Sequence, residues 1–173
     1  MAKPTELAGK VAGTMQGIVK RLEGYKGIFR RLAEEHAEVS VLLRRVLASS
    51  EVAEVRRELF PKIRKELLAH ARAEEQEFYS VLERYMETRD FVEHSGTDHR
   101  RIEILLDQLS VSDPAQPAWT ETFRTLVQAI DDHVDDEEKR LFPLAKELLS
   151  ESDVAAMEER FVAAKKSILA RVG

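Results

Sequence analysis

Six side chains of this sequence have the chemistry and the spacing to hold a metal: His36, His70, Glu74, His99, His133 and Glu137. The chain has no cysteine, which excludes disulfides, thiolate zinc sites, iron–sulfur clusters and a catalytic thiol, so any metal must be held by imidazole or carboxylate. Glu74 follows His70 by four residues and Glu137 follows His133 by four, the step that brings two side chains onto one face of a helix. Neutral imidazole together with carboxylate suits iron, and two bridging carboxylates leave coordination positions open for oxygen or peroxide; zinc and manganese accept the same donors.

The six residues form a duplicated pattern. A shift of 63 residues carries His36 onto His99, Phe60 onto Phe123, His70 onto His133 and Glu74 onto Glu137. The same shift carries Leu42-Leu43 onto Leu105-Leu106 and Glu75 onto Glu138. Two copies of a helical hairpin follow, each with one lone histidine and one His-x-x-x-Glu pair. Packed antiparallel about a pseudo-two-fold axis, the hairpins aim all six groups at one centre, an arrangement that fits two metals. A lone histidine in an apolar stripe reads as a hydrogen-bonded core residue; four at equivalent positions do not. Buried without a partner, each carboxylate or imidazolium costs several kcal/mol, roughly, and cations supply the compensation.

Helices must position these groups. Phe29, Leu32, Val39, Leu43 and Val46 recur in steps of three and four, and His36 fills the gap in that stripe. A second stripe runs Ile63, Leu67, His70, Glu74, Phe78, Val81 and Tyr85. A third runs His99, Ile102, Leu106 and Leu109, and a fourth runs from Phe123 through His133 and Glu137 to Leu148. Breaks are expected at Ser49-Ser50, at Ser95-Gly96-Thr97 and from Ser112 to Pro117. Pro61 predicts a late helix start and Pro143 a kink. The fold class is therefore all-α: an up-down four-helix bundle of two repeated hairpins, with extra N- and C-terminal helices. We expect one domain over residues 1–173, with a bundle core over 25–149 and amphipathic flanking helices over 5–23 and 152–170, the latter capped in the Ser150–Asp153 stretch.

At this point the chain resembles the hemerythrin-like, or HHE cation-binding, family. The residues that carry the likeness are Glu35-His36, His70 with Glu74-Glu75, Asp98-His99 with Ile102, and His133 with Glu137-Glu138 and Phe142-Pro143, spanning about residues 25–149. The resemblance implies that His36 and His70 serve one iron, that His99 and His133 serve the other, and that Glu74 and Glu137 bridge them beside an oxo or hydroxo bridge. The sequence departs from the oxygen-carrying hemerythrins, which use five histidines. The candidate fifth ligand, His94, lies five residues before His99, a step of about 140° on a regular helix, so it reaches the metals only if the chain turns at Ser95-Gly96. Four histidines leave both irons with vacant positions, which favours peroxide or nitric oxide chemistry over reversible oxygen carriage. Asp136, about 60° from His133 around the helix, is a candidate to orient that imidazole. Glu75 and Glu138 are rotated away and read as surface or rim residues. Phe29, Phe78, Phe123 and Phe142 read as core, and Tyr79 and Tyr85 receive no role.

Composition narrows the function further. The chain has 173 residues, 34% of them charged, and a net charge of −5, with basic residues dispersed, so no footprint for nucleic acid is present. Residues 1–20 contain neither a signal-peptide core nor a membrane-spanning run, and a cytoplasmic address is expected. The reading is a non-haem diiron protein that binds or reduces oxygen, hydrogen peroxide or nitric oxide, with catalase-like turnover as one form. The competing reading is a non-catalytic iron or oxygen sensor or carrier acting through its flanking helices. A ferritin-like bundle would use Glu-x-x-His pairs and more carboxylates.

Overall fold

A computed structural model describes residues 24–49 and 52–171, which contain helices and no strand. The expected N-terminal helix over 5–23 lies outside the described residues. Four rods build the bundle. The first is α1, Gly27–Ala48. The second begins as α2, Ala53–Glu74, widens into a π-helical turn at Glu75–Tyr79 and closes with α3, Ser80–Leu82. The third is α4, Met86–Ser110. The fourth comprises α5, Pro117–Asp136, a second π-helical turn at Glu137–Leu141, and α6, Phe142–Leu148. A fifth, α7, spans Glu151–Leu169 behind a capping box made by Ser150 and Asp153.

Helix α1 packs on α2, α2 on α4, α4 on α5, and α5 back on α1. Short connections make sequential neighbours antiparallel, so the ring closes as an up-down bundle. Helix α7 lies against α1 and α2, with Met157 and Phe161 buried and Val154 and Ile168 partly so. Two apolar clusters fill the interior. One gathers Leu43, Phe60, Leu106 and Trp119, the other Phe29, Phe78, Phe142 and Phe161. Burying each such side chain contributes roughly 1.5–3 kcal/mol.

Two expected breaks are overturned by this packing. Helix α2 starts at Ala53, and Pro61 sits inside it. A proline inside a helix costs about 3 kcal/mol or more, but the turns before it bury Leu59, Phe60 and Arg56. Phe60 meets Trp119 edge-on at 5.6 Å, and Arg56 lies 5.6 Å over the same indole. Helix α4 likewise runs straight through Ser95-Gly96-Thr97. A glycine inside a helix costs only about 1 kcal/mol, while the buried stripe Thr88, Val92, Ser95, His99 and Ile102 continues across it.

Near Pro143 the helix does change, but the proline is not the cause. The π-helical turn ends at Leu141, before Pro143, and the first hairpin has the same widened turn at Glu75–Tyr79, where the residue equivalent to Pro143 is Ser80. Pro143 sits in the first turn of α6, where its missing donor is tolerated.

Candidate metal centre

The six sequence-derived donors meet between the two apolar clusters. His36 comes from α1, His70 and Glu74 from the last turns of α2, His99 from α4, His133 from α5, and Glu137 opens the second π-helical turn. All six are buried. The Nε2 atoms of His36 and His70 are 3.2 Å apart, and those of His99 and His133 are also 3.2 Å apart. Oε2 of Glu74 lies 3.4 Å from Nε2 of both His70 and His99. Oε2 of Glu137 lies 3.4 Å from Nε2 of His36 and 3.7 Å from that of His133. Each carboxylate thus spans the two histidine pairs, and the near-equal distances make the sequence repeat a two-fold relation in space.

Carboxylates outside the cluster orient the imidazoles. His36 Nδ1 is 3.0 Å from Glu138 Oε1, His70 Nδ1 is 2.9 Å from Glu35 Oε2, and His99 Nδ1 is 3.0 Å from Glu75 Oε1. His133 Nδ1 is 3.8 Å from Asp98 Oδ2, too far for a hydrogen bond. A carboxylate at Nδ1 keeps the proton there and leaves Nε2 as a bare acceptor. In the His36/His70 pair two Nε2 lone pairs then face one another, an arrangement that needs a cation between them. At metal–donor distances of about 2.0–2.2 Å, two donors on one ion lie roughly 3 Å apart, which matches the separations found.

Unpartnered oxygens tell the same story. Both carboxylate oxygens of Glu74 and Oε2 of Glu137 are buried and find no hydrogen-bond partner among the described residues. Such groups carry a desolvation cost of about 1–3 kcal/mol each, more when charged. The donor atoms of His36, His70 and Glu74 all lie within 4.8 Å of one another, as do those of Glu74, His99 and His133. The residues present therefore fit metal ions.

Protonation supplies cations where no metal does. Burial pushes His70 down, but Glu74 and Glu35 reverse this and raise it to about 10. Burial is likewise outweighed at His99, where Glu74 and Glu75 raise it to about 9. Glu74 would be raised by burial, yet His70 and His99 hold it well below the usual carboxylate range. Its two-fold mate Glu137 is lifted to about 7 by burial and then by the Glu74 charge. The opposite directions of these mates describe one coupled pair, in which one carboxylate stays charged and the other shares a proton.

Several expectations need correction. Glu138 is buried rather than on the rim; Glu75 keeps its rim position, half exposed, yet each bonds a histidine of the opposite hairpin. The cause is the π-helical turn, whose extra residue lets the second of two consecutive glutamates reach a histidine of the other hairpin. Asp136 does not orient His133; it accepts from Arg140 Nη1 at 3.2 Å. With α4 unbroken, His94 is held outward, its side chain 60% exposed and 3.5 Å from Asp98.

Three participants carried weak signals. Glu35 and Asp98 immediately precede His36 and His99, so the repeat itself could have revealed them. Tyr79 donates its hydroxyl to Glu137 Oε1 at 2.6 Å, and its repeat mate is Phe142, whose ring stacks on His36 at 6.4 Å. Lys165 of α7 donates to Glu35 from outside the repeat, where no spacing argument reaches.

A cavity of about 30 Å³ adjoins the cluster, lined by the four imidazoles and by apolar Val39, Ile102 and Ile130. That volume admits about two water-sized bodies. A wider groove of about 440 Å³ reaches His99 and Tyr79 past Arg72, Glu75 and Arg100.

Known proteins share this architecture. The family described as the hemerythrin HHE cation binding domain matches residues 27–145. A curated protein of Nostoc sp. named DNA nickase is 29% identical over 139 residues, which make up 80% of this chain and 39% of that protein, so the chain spans well under half of its relative's length. The crystal structure of a hemerythrin HHE cation binding domain-containing protein, a homolog from Mycobacterium kansasii, aligns with a TM-score of 0.74 over 85% of this chain and 90% of that one, at 20% identity. At that identity the likeness is one of fold.

Proposed function

Because the chain belongs to the hemerythrin HHE cation-binding family, we propose that it is a non-haem diiron protein that binds or reduces oxygen, hydrogen peroxide or nitric oxide. His36 and His70 would hold one iron and His99 and His133 the other, with Glu74 and Glu137 between the two and an oxo or hydroxo bridge completing the core. The observation that carries this reading is the pair of Nε2–Nε2 approaches at 3.2 Å, each between histidines whose Nδ1 atoms face carboxylates. The irons, when bound, supply a Lewis-acidic and redox-active site for the small molecule.

The chain's own residues shape what can react. The apolar wall of Val39, Ile102 and Ile130 borders a cavity of about 30 Å³, room enough for a diatomic molecule or peroxide. Tyr79 donates its hydroxyl to Oε1 of Glu137, keeping that oxygen turned from the cluster and Oε2 turned toward it. Glu75, half exposed at the groove mouth, orients His99 from the solvent side. Phe142 and Phe161 close the opposite side against water.

The test is metal analysis joined to an absorption spectrum, followed by peroxide addition. About two irons per chain with an oxo-to-iron charge-transfer band supports the centre; oxygen evolution no faster than with free iron removes the peroxide-dismutating reading. A second reading, a non-catalytic sensor or carrier, is favoured by the contacts of α7 with the His70 side of the cluster. Limited proteolysis with and without iron separates the two. Identical cleavage of α7 in both states argues against the sensor.

A further inference from the structure

The family match ends at residue 145, yet α7, which lies beyond it, reaches the histidine cluster. Lys165 Nζ donates to Glu35 Oε2 at 2.7 Å, the same oxygen that accepts from His70 Nδ1 at 2.9 Å. Oε2 of Glu66, on α2, holds the same ammonium at 2.9 Å, and the lysine side chain is only 13% exposed. One turn earlier the buried Phe161 ring meets the His70 ring edge-on at 5.9 Å. His70 is therefore braced twice by α7, at its Nδ1 through the Glu35 carboxylate that Lys165 holds and across its ring by Phe161.

The two-fold related end is built differently. Asp98 stands where Glu35 stands in the first hairpin. One methylene shorter, it stops 3.8 Å from His133 Nδ1, and that buried nitrogen has no hydrogen-bond partner among the described residues. Asp98 also lies 3.5 Å from the exposed His94, which competes for its charge.

We infer that Lys165 is a positioning residue for His70, and that α7 makes the two halves of the centre unequal. The His36/His70 half takes a metal ion first and releases it last; the His99/His133 half is the exchangeable one. This rests on the metal reading above. His70 meets the ion with its ring orientation already set, whereas His133 must still be ordered when the ion arrives. Outer partners of this kind are typically worth about 10–100-fold in metal affinity.

Zinc serves as a diamagnetic probe on the full chain, followed by NMR of nitrogen-15-labelled histidines. The first equivalent is expected to shift His36 and His70, and the second His99 and His133. No shift at any histidine refutes the metal centre itself. All four moving together, or His99 and His133 moving first, overturns the unequal halves while leaving the centre intact.

Substitutions then isolate the lysine. Lys165→Gln is expected to speed loss of the tighter zinc ion to a chelator by about 10-fold while leaving the other ion unchanged, and Lys165→Arg is expected to restore slow release. Glu77→Gln removes a separate tie of α7, the bond that Arg160 Nε donates to Glu77 Oε2 at 3.0 Å, without touching Lys165 or Glu35, so it should lower the melting temperature and leave ion release alone. If Glu77→Gln speeds release as much as Lys165→Gln, the lysine merely docks the helix and its positioning role is overturned. Unchanged release in Lys165→Gln overturns it equally. Should Lys165→Gln not fold, the order of zinc loading in the unaltered chain decides.

Discussion

The hydroxyl of Tyr79 donates to Oε1 of Glu137 across 2.6 Å, while the residue at the repeat-related position, Phe142, has no hydroxyl to offer Glu74. One of the two carboxylates is therefore tethered and the other is not. The donor belongs to the π-helical turn of the first hairpin and the acceptor to that of the second, so this bond ties the two hairpins at the centre.

Tyr79→Phe should keep the fold and cost about 1.5–3 kcal/mol of stability in the metal-free protein, the range for a hydrogen bond to a charged group. Iron loading should recover most of that loss, because the ions then compensate Glu137. Urea unfolding of metal-free and iron-loaded protein checks both halves of the expectation. Equal destabilisation in the two states would sink it.

Glu138 and Glu75 bond repeat-related histidines but differ in exposure, with side chains 6% and 49% exposed respectively. Glu138→Gln should therefore weaken metal binding by about 10–100-fold. Glu75→Gln should weaken it less, since water can take the carboxylate's place at His99. Competitive zinc titration against a chromophoric chelator reads both, and a larger loss in Glu75→Gln contradicts the account.

The metal-free protein should lose stability as pH rises. His70 and His99, raised to about 10 and about 9, hold protons more tightly folded than unfolded. Their contribution is complete below an unfolded value of about 6.5 and is lost as pH climbs through 9 to 10. Glu137, raised to about 7, adds a smaller loss between about pH 4.5 and 7. Metal binding must displace these protons, so affinity should rise over the same alkaline range, with release of about two protons per chain near neutral pH. Urea midpoints against pH, and calorimetry in buffers of different ionisation enthalpy, measure the two effects.

Gly27→Ala should loosen α7. Gly27 has φ of +52°, and a Cβ there would lie 2.5 Å from the Val154 side chain and 2.9 Å from its carbonyl oxygen. The backbone strain and the clash together should cost about 1–3 kcal/mol. Faster proteolysis within α7, with the four bundle helices still protected from hydrogen exchange, is the expected signature.

The convergence of the six side chains was legible because it follows from local rules. Residues four apart share a helix face whatever the helix packs against, and a repeat in the chain implies a repeat in space. The same reasoning missed the histidine bonds of Glu75 and Glu138, because periodicity assumes a regular helix and a π-helical turn changes its phase. It overvalued Pro61 and Gly96, whose local costs of a few kcal/mol are smaller than the burial on either side of them.

What the sequence by itself determined, then, was which six side chains converge, the paired hairpins and the helical class, all consequences of spacing within single helices. Tertiary structure decided which carboxylate faces each Nδ1, as with His36 and Glu138, 102 residues apart, and which helix from outside the repeat braces His70. Such pairings depend on the order and rotation of helices around the closed ring, and no periodicity along one helix encodes the angle at which it meets the next.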